Sequence, residues 1–498
     1  MTASSIAASS VNFDPEARLY IGGELRGSST GHTADNVNPA TEEVLGVCSD
    51  ASADDMEQAI TAARSAFDTT DWSTNHAFRQ HCLRQLHEAL QQEKEAIRAE
   101  LVAEVGAPLP STYMAQLDWP LADAVRWPAE YISEFPWERM LEEDAKLGEP
   151  YHRVVVKEPM GVVGAITAWN FPFEIISNKI GQILATGNTM VLKPAIETPW
   201  SALRWGRIIA EHTDIPASVV NIVTTSNNGV AEQLLTDPRV EMISFTGSTE
   251  VGRLIQRLTA KTMKPTLLEL GGKSAHLILD DADLPSALAS SLAALTHSGQ
   301  GCAVAARILV PRKHYAESID FVTAAVAAVG VGDPSDPDNF CGPLISAKQR
   351  ERVLALIETG KAQGARLTVG GAAPVGCDRG YFVAPTVFAD VTPDMRIFQE
   401  EIFGPVLTIT PYDGGDDEAV ELANNSLYGL AGAVMGSIDR AVAVARRIRT
   451  ASMAVNTAMF YGADAPFGGY KMSGIGRQNG TEGFEQHLQT KVIGYPKT

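Results

Sequence analysis

Met160-Gly161-Val162-Val163-Gly164-Ala165-Ile166-Thr167-Ala168-Trp169-Asn170-Phe171-Pro172 is the stretch on which the fold turns. The apolar run Gly161 to Thr167 reads as a buried strand, and a helix is expected over about 173–186. The pattern then repeats. Runs at Met190 to Leu192, Val219 to Val223 and Val240 to Phe245 alternate with helical segments at about 199–212, 229–235 and 249–259. Strands spaced by helices in this way are βαβ units, which predict a parallel, doubly wound α/β sheet with its ligand crevice at the carboxyl ends of the strands.

Upstream, Leu19 to Leu25 reads as a hairpin and Ala53 to Phe67 as a helix. Ala77 to Val105 reads as one long amphipathic helix, with Phe78, Leu83, Leu86, Leu90, Ile97, Leu101 and Val105 on its apolar face, stopped by Gly106 and Pro108. A Pro-broken stretch over 118–150 leads to Tyr151 to Val156, an exposed strand whose partner is either a surface hairpin or another subunit. Downstream, His276 to about Asn456 alternates again. Strands near Arg307 to Val310, Val383 to Phe388, Val406 to Thr410 and Ala431 to Met435 predict a second α/β domain. A Gly-rich segment, 462–480, and a strand-like run from Gln489 to Tyr495 end the chain.

A length of 498 residues suggests about three domains. Hydrophobic content of 45% and charged content of 20% belong to a globular protein, and no apolar run approaches the roughly 20 residues of a membrane span. Residues 1–12 read as a polar tail without a basic or apolar signal region, which predicts a cytoplasmic location. Forty Lys plus Arg against sixty Asp plus Glu leave a net charge of -20, which argues against nucleic acid and membrane partners. Five scattered cysteines, with no C-x-x-C pair, read as reduced thiols. His76, His81 and His87 lack metal-ligand spacing, so no metal is expected.

Cys302 lies in His297-Ser-Gly-Gln-Gly-Cys302-Ala-Val-Ala-Ala-Arg307, between glycines and small residues that let a carbonyl approach the sulfur, although a buried inert thiol is the commoner use of such a residue. Glu269, flanked by leucines and followed by Gly271-Gly272-Lys273, should have a raised pKa suited to a general base; a buried salt bridge to Lys273 is the alternative. Asn170 offers a neutral N–H donor for an oxyanion, or else a helix cap. No G-x-G-x-x-G follows a strand. Ile243 to Gly252, a strand, a Gly turn with hydroxyls and a helix start, can hold a phosphate at the helix N-terminus or can simply be a capped helix. Lys193, ending its strand before Pro194, should project at the carboxyl edge of the sheet.

Taken together, Trp169-Asn-Phe-Pro172, Leu192-Lys-Pro194, Phe245-Thr-Gly-Ser248 through Gly252, Glu269-Leu-Gly-Gly-Lys273, Gly299-Gln-Gly-Cys302, Glu400-Glu-Ile-Phe-Gly-Pro405 and Pro466-Phe-Gly-Gly-Tyr-Lys471 stand in the order found in the NAD(P)-dependent aldehyde dehydrogenase superfamily. The resemblance runs from about residue 18 to the C-terminus. It implies a doubly wound cofactor-binding domain from residues 1–128 and 157–268, an α/β catalytic domain from 269–476, and a β oligomerisation arm from 129–156 and 477–498, in a homodimer or homotetramer. It implies that Cys302 attacks the aldehyde, that Asn170 and the Cys302 backbone N–H hold the oxyanion, and that Glu269 activates water against the thioester. Cofactor contacts would come from Thr167, Ala168, Trp169, Lys193, Ala195, Ile196, Gly247, Ser248, Gly252 and Leu270. Glu401 would bind the nicotinamide ribose, with Gln349 a second candidate, and Phe403 would back the ring. Phe171, Asn178, Gly301, Tyr461 and Phe467 would line the aldehyde tunnel.

Some positions depart from the family pattern. Ile196 stands where many NAD-preferring members carry a glutamate, so NAD is expected while NADP stays open as an alternative. Gln478 replaces a second, relay glutamate, which shifts the base role onto Glu269. Asn178 replaces a common aromatic and Gly301 is small, so the tunnel should be wider or more polar. Glu269 favours release of a free acid over transfer to coenzyme A. Two other readings compete: a cysteine-dependent esterase or thioesterase, which needs a histidine partner near Cys302 such as His297, and a non-catalytic protein on the same scaffold.

Overall fold

The computed structural model describes residues 14–146 and 148–497; the N-terminal tail read from residues 1–12 lies outside them. Two sheets organise the chain. The first has eight strands in the order Glu24–Arg26, Leu19–Ile21, Val220–Ile222, Thr189–Lys193, Val162–Ile166, Met242–Thr246, Thr266–Glu269 and Gly474–Ile475. Its five central strands are parallel and its edges are antiparallel. From Val162–Ile166 the chain builds outward through two strands on one side, then returns to add Met242–Thr246 on the other. The strand order therefore reverses between those two strands, and a reversal of this kind opens a crevice at their carboxyl ends.

The second sheet has seven strands in the order Arg366–Val369, Thr386–Ala389, Val406–Tyr412, Arg307–Pro311, Ala275–Ile278, Gly432–Met435 and Ala454–Val455, parallel except at the first pair. Both sheets are buried on two faces, which is why their strands are continuous apolar runs rather than alternating ones. A third sheet joins Glu138–Met140, Tyr151–Pro159 and Leu488–Pro496, with Leu488–Pro496 at an edge. Tyr151–Pro159 thus crosses the boundary drawn at residue 156, and Gly474–Ile475 extends the first sheet, not the second.

The single long helix expected over 77–105 is two helices, His76–Gln92 and Lys94–Val105. The chain leaves helical geometry at Glu93, whose carboxylate pairs with Arg204 and Arg207. The second helix is re-aimed so that two buried carboxylates meet the helix Pro199–His212. Glu100 pairs with Arg204, and Glu104 accepts from the backbone N–H groups of Trp200 and Ser201 at 3.0 and 2.8 Å. Apolar periodicity carries no information about such charged contacts. The strand expected at Val383 to Phe388 is the shorter Thr386–Ala389.

Candidate active site

Cys302 lies in the connection between the 292–299 turn and the strand Arg307–Pro311. His297, Ser298 and Gly299 take three successive left-handed conformations, φ 51°, 53° and 69°, which turn the chain sharply. Gly299 is required there, since a Cβ would lie 2.2 Å from the Gly404 carbonyl oxygen. Strain of this kind persists where neighbours over-determine it. Here the buried Gln300 side chain donates to the carbonyls of His297 and Pro343, both at 3.2 Å, and accepts from the Ile345 N–H at 3.0 Å. The thiol is thereby presented by a rigid loop.

Asn170 ends the segment after Val162–Ile166. Its side-chain amide donates to the Gln300 carbonyl at 2.9 Å, and Gln116 holds the Asn170 carbonyl at 2.8 Å. Glu269 ends the strand Thr266–Glu269 and is buried, with neither carboxyl oxygen hydrogen-bonded among the described residues. Burial pushes its carboxyl up to about 8, against the opposing pull of Lys179 and Arg477. Lys273 is not its partner: the charges acting on that buried lysine are those of Arg307, Glu401, Glu400 and Arg352. Burial also pushes the Cys302 thiol well above its ordinary range, and the carboxylates of Glu174, Glu401 and Glu269 add to the shift in that order. Burial and negative charge around the sulfur therefore both oppose the thiolate. Gly272 permits the approach of the two loops, since a Cβ there would lie 2.4 Å from the Cys302 carbonyl oxygen.

The reversal in strand order places Thr167-Ala168-Trp169 beside Thr246-Gly247-Ser248. The Thr167 and Thr246 hydroxyls are buried without partners among the described residues, at the two strand ends that flank the crevice. Ser248 caps the helix Thr249–Thr259, accepting from the Val251 N–H at 3.3 Å, so the helix presents its positive end to the same crevice. Lys193 ends the neighbouring strand, its ammonium pushed down by burial and drawn up by Glu197 and Asp50. Ala195 is buried, and Ile196 is partly exposed on the following turn. A Cβ on Gly247 would meet the Phe245 ring at 2.4 Å and one on Gly252 the Leu270 side chain at 2.7 Å, so this backbone bears no side chains toward the crevice. Orphaned hydroxyls, a lysine and a bare helix start are groups suited to the ribose and pyrophosphate of a dinucleotide.

Farther along, Glu401 accepts from the Gly272 N–H at 2.9 Å, and burial pushes its carboxyl up to about 7. Its loop is pinned by Arg352, which donates to the Glu401 and Ile402 carbonyls at 2.7 and 2.9 Å. Gln349 donates one amide hydrogen to the Phe403 carbonyl at 2.8 Å, which steadies this loop and leaves its second hydrogen and its oxygen uncommitted among the described residues. The Phe403 ring stands edge-on to Trp169 with centroids 5.4 Å apart. A small crevice lined among others by Gly272, Gly301, Glu401 and Phe403 joins this loop to the residue before the thiol.

On the other side of Cys302, Phe171 approaches Gly301, and Tyr461 packs edge-on to Phe467 at 5.5 Å. Gln478 holds Phe467 by paired main-chain hydrogen bonds at 2.6 and 2.7 Å and accepts from Lys179 at 3.3 Å. Two residues of the helix Pro172–Ala185 escape a reading of the sequence. Glu174 accepts from Tyr461 and Asn178, and Lys179, pushed down to about 8 by burial, donates to Ser244 at 2.9 Å. The available signal was a cluster of polar side chains, Glu174, Asn178 and Lys179 among them, inside a largely apolar, buried helix.

A model of the aldehyde dehydrogenase family matches residues 26–493 of the chain. A 3-succinoylsemialdehyde-pyridine dehydrogenase from Pseudomonas sp is 40% identical over 482 residues, covering 96% of this chain and 98% of the relative. Among solved structures, betaine aldehyde dehydrogenase from Staphylococcus aureus, in complex with NAD+, superposes with a TM-score of 0.93 at 34% identity, covering 97% of this chain and 95% of that one. A variant of aldehyde dehydrogenase C from Pseudomonas syringae, in complex with NAD+ and octanal, gives 0.91 at 35% identity, covering 96% of each chain.

Proposed function

This chain belongs to the aldehyde dehydrogenase family, enzymes that oxidise an aldehyde to the acid level with a nicotinamide acceptor, and we propose that Cys302, Asn170 and Glu269 carry the chemistry. The observation that carries this assignment is a buried carboxyl with no hydrogen-bond partner, Glu269, acting on the thiol that Asn170 and its Gln300 contact flank. An unpaired buried carboxyl costs stability, and a site retains one where a proton must be taken.

The Cys302 sulfur adds to the aldehyde carbon as its proton leaves. Because the thiol is pushed up, proton removal accompanies attack, and Glu269, itself at about 8, is matched to receive it near neutral pH. The carbonyl oxygen, now an oxyanion, takes the free side-chain N–H of Asn170 and the backbone N–H of Cys302. Bound NAD supplies the acceptor for the hydride that leaves this carbon. The acyl group remains on sulfur as a thioester. Glu269 releases the thiol's proton to solvent and then takes a proton from water, whose oxygen adds to the acyl carbon; the carbon–sulfur bond breaks, the acid leaves, and the proton on Glu269 returns to the sulfur. Lys193, Ser248 and the Gly247 to Gly252 turn would hold adenosine and pyrophosphate, Glu401 the nicotinamide ribose, and Phe403 the ring. NAD binding by similar structures supports this cofactor. Ile196 supplies neither a repelling carboxylate nor a phosphate donor.

The same reading divides the chain into a cofactor domain, 1–128 and 157–268, a catalytic domain, 269–476, and an arm, 129–156 and 477–498. It makes the protein a homodimer or homotetramer. The edge strand Leu488–Pro496, with Val492, Ile493 and Tyr495 exposed on it, supports pairing of the arm with a second copy. A cytoplasmic setting goes with a nucleophile that acts only as a reduced thiol. A cysteine hydrolase finds no support, since the buried His297 ring packs against Phe171 and is pushed down to about 4 by burial.

The test is purified protein with an aldehyde and NAD, without coenzyme A, followed at the reduced-nicotinamide absorbance. Steady turnover to the free acid is expected. A strict coenzyme A requirement, or ester cleavage exceeding aldehyde oxidation in kcat/KM, would overturn the reading.

A further inference from the structure

The proposed mechanism leaves one carboxyl beside the thiol without a part. Glu174 lies in the first turn of the helix Pro172–Ala185, and its Oε1 accepts both the Tyr461 hydroxyl and the Asn178 amide, the latter at 3.3 Å. Asn178 also donates to the Tyr461 oxygen at 2.6 Å, closing a triangle that fixes the carboxyl in place. Among the described residues nothing donates to Oε2. Glu174 is not fully covered, although enough protein surrounds its carboxyl to push it up to about 7. Phe171, which immediately precedes this helix, approaches Gly301, the residue before the thiol, so the first turn that carries Glu174 borders the space in front of the sulfur, and its charge acts on Cys302. The Tyr461 ring that grips it packs against Phe467, on the wall assigned to the aldehyde tunnel.

A carboxyl that only held Tyr461 would be a buried polar cluster with its second oxygen also covered or paired. Here one oxygen is occupied by the protein and the other is left to the tunnel. We propose that Glu174, fixed by Tyr461 and Asn178, is a specificity-determining residue that accepts a hydrogen bond from a hydroxyl or protonated amine on the tail of the aldehyde, and that it disfavours tails ending in a carboxylate. The proposal rests on the reading of Cys302 as the nucleophile, because only that fixes which end of the substrate faces Glu174. A hydrogen bond to a charged acceptor changes binding by roughly 10- to 100-fold. Like charges brought together in a poorly solvated tunnel act in the opposite sense for a carboxylate tail.

The experiment compares kcat/KM for benzaldehyde, 3- and 4-hydroxybenzaldehyde, 3- and 4-(aminomethyl)benzaldehyde and 4-carboxybenzaldehyde in the parent, Glu174→Gln and Glu174→Leu. In the parent, at least one hydroxyl or aminomethyl compound should exceed benzaldehyde by about tenfold or more, and the carboxy compound should fall below it. The two donor classes separate through Glu174→Gln, which keeps an acceptor but no charge: an ammonium preference is lost in it, and a hydroxyl preference is lost only in Glu174→Leu. The carboxy compound should gain in both variants. Oxidation of all six aldehydes by the parent within threefold would overturn the proposal, as would a donor preference that survives unchanged in both variants. The parent series reads the preference even where a variant does not fold. Absence of reduced nicotinamide with every aldehyde, benzaldehyde included, would instead overturn the aldehyde-oxidation reading itself.

Discussion

Asn170 gives one hydrogen of its side-chain amide to the main-chain carbonyl of Gln300 at 2.9 Å, two residues before the thiol. An asparagine amide carries two such hydrogens, and the second has no acceptor among the described residues. The contact orients the free hydrogen without consuming it. Replacing Asn170 by Ala should lower kcat about 10²- to 10³-fold while the KM for NAD stays within about threefold, since the lost donor serves the oxyanion and not the cofactor. Steady-state kinetics on the folded variant measure both.

Glu269 is assigned to the hydrolysis of the thioester, and its carboxyl is pushed up to about 8. A general base acts when deprotonated, so kcat in the parent should rise with pH and level off above about 8 wherever hydrolysis limits turnover. Glu269→Gln should still give a rapid first turnover at high pH, then stall with the acyl group on sulfur. Stopped-flow absorbance would show a burst of reduced nicotinamide near one per active site without a steady rate. Intact mass would show the adduct.

The parallel sheets were legible because each strand is an unbroken apolar run, whereas Cys302, Glu269 and Asn170 are proposed from the residue types around them. The break at Glu93 was hidden: apolar spacing continues through it, and only the pairing with Arg204 and Arg207, more than a hundred residues away, turns the chain. Glu174 was hidden for a related reason. Its partner Tyr461 lies 287 residues away, just before the Gly-rich segment, so the polar positions of the helix alone do not say what Glu174 meets. Gln349, the second candidate for the nicotinamide ribose, gives one amide hydrogen to the Phe403 carbonyl.

Burial holds the Cys302 thiol above its ordinary range, and three carboxylates add to the shift, with Glu174 acting most strongly among them. Glu174→Gln removes one negative charge, so the thiol should ionise at lower pH. The alkylation rate of Cys302 by iodoacetamide at about pH 8.5 should rise about three- to tenfold over the parent, as expected for a shift of up to roughly one pKa unit. Peptide mass mapping confines the reading to this cysteine. An unchanged rate would place Glu174 too far from the sulfur to matter.

Lys193 stands at the carboxyl edge of the first sheet, one strand from the reversal in strand order. Its ammonium is assigned to the adenosine end of the cofactor, remote from the reacting carbon. Lys193→Ala should raise the KM for NAD about tenfold, the size of one charge-assisted hydrogen bond, with kcat reduced far less. Ile196→Glu, which brings a carboxylate to the same turn, should depress kcat/KM for NADP at least tenfold more than for NAD, because only NADP carries the phosphate it repels.

The buried, unpaired Glu269 also fixes how stability depends on pH. A carboxyl whose folded pKa is raised to about 8, from an ordinary value near 4.5, holds its proton more tightly in the folded state than in the unfolded one. Its contribution is fully present below the ordinary carboxyl range and is lost as pH rises through about 8, where the charge must be carried without a hydrogen-bond partner. Glutamine has the shape of the protonated acid and no charge to lose. Glu269→Gln should therefore melt close to the parent at about pH 5 and several degrees above it at about pH 9, a direction opposite to that of a variant that merely damages packing. Differential scanning fluorimetry across this range reads the difference, and a variant less stable than the parent at the alkaline end would mean that the carboxylate is paired in solution.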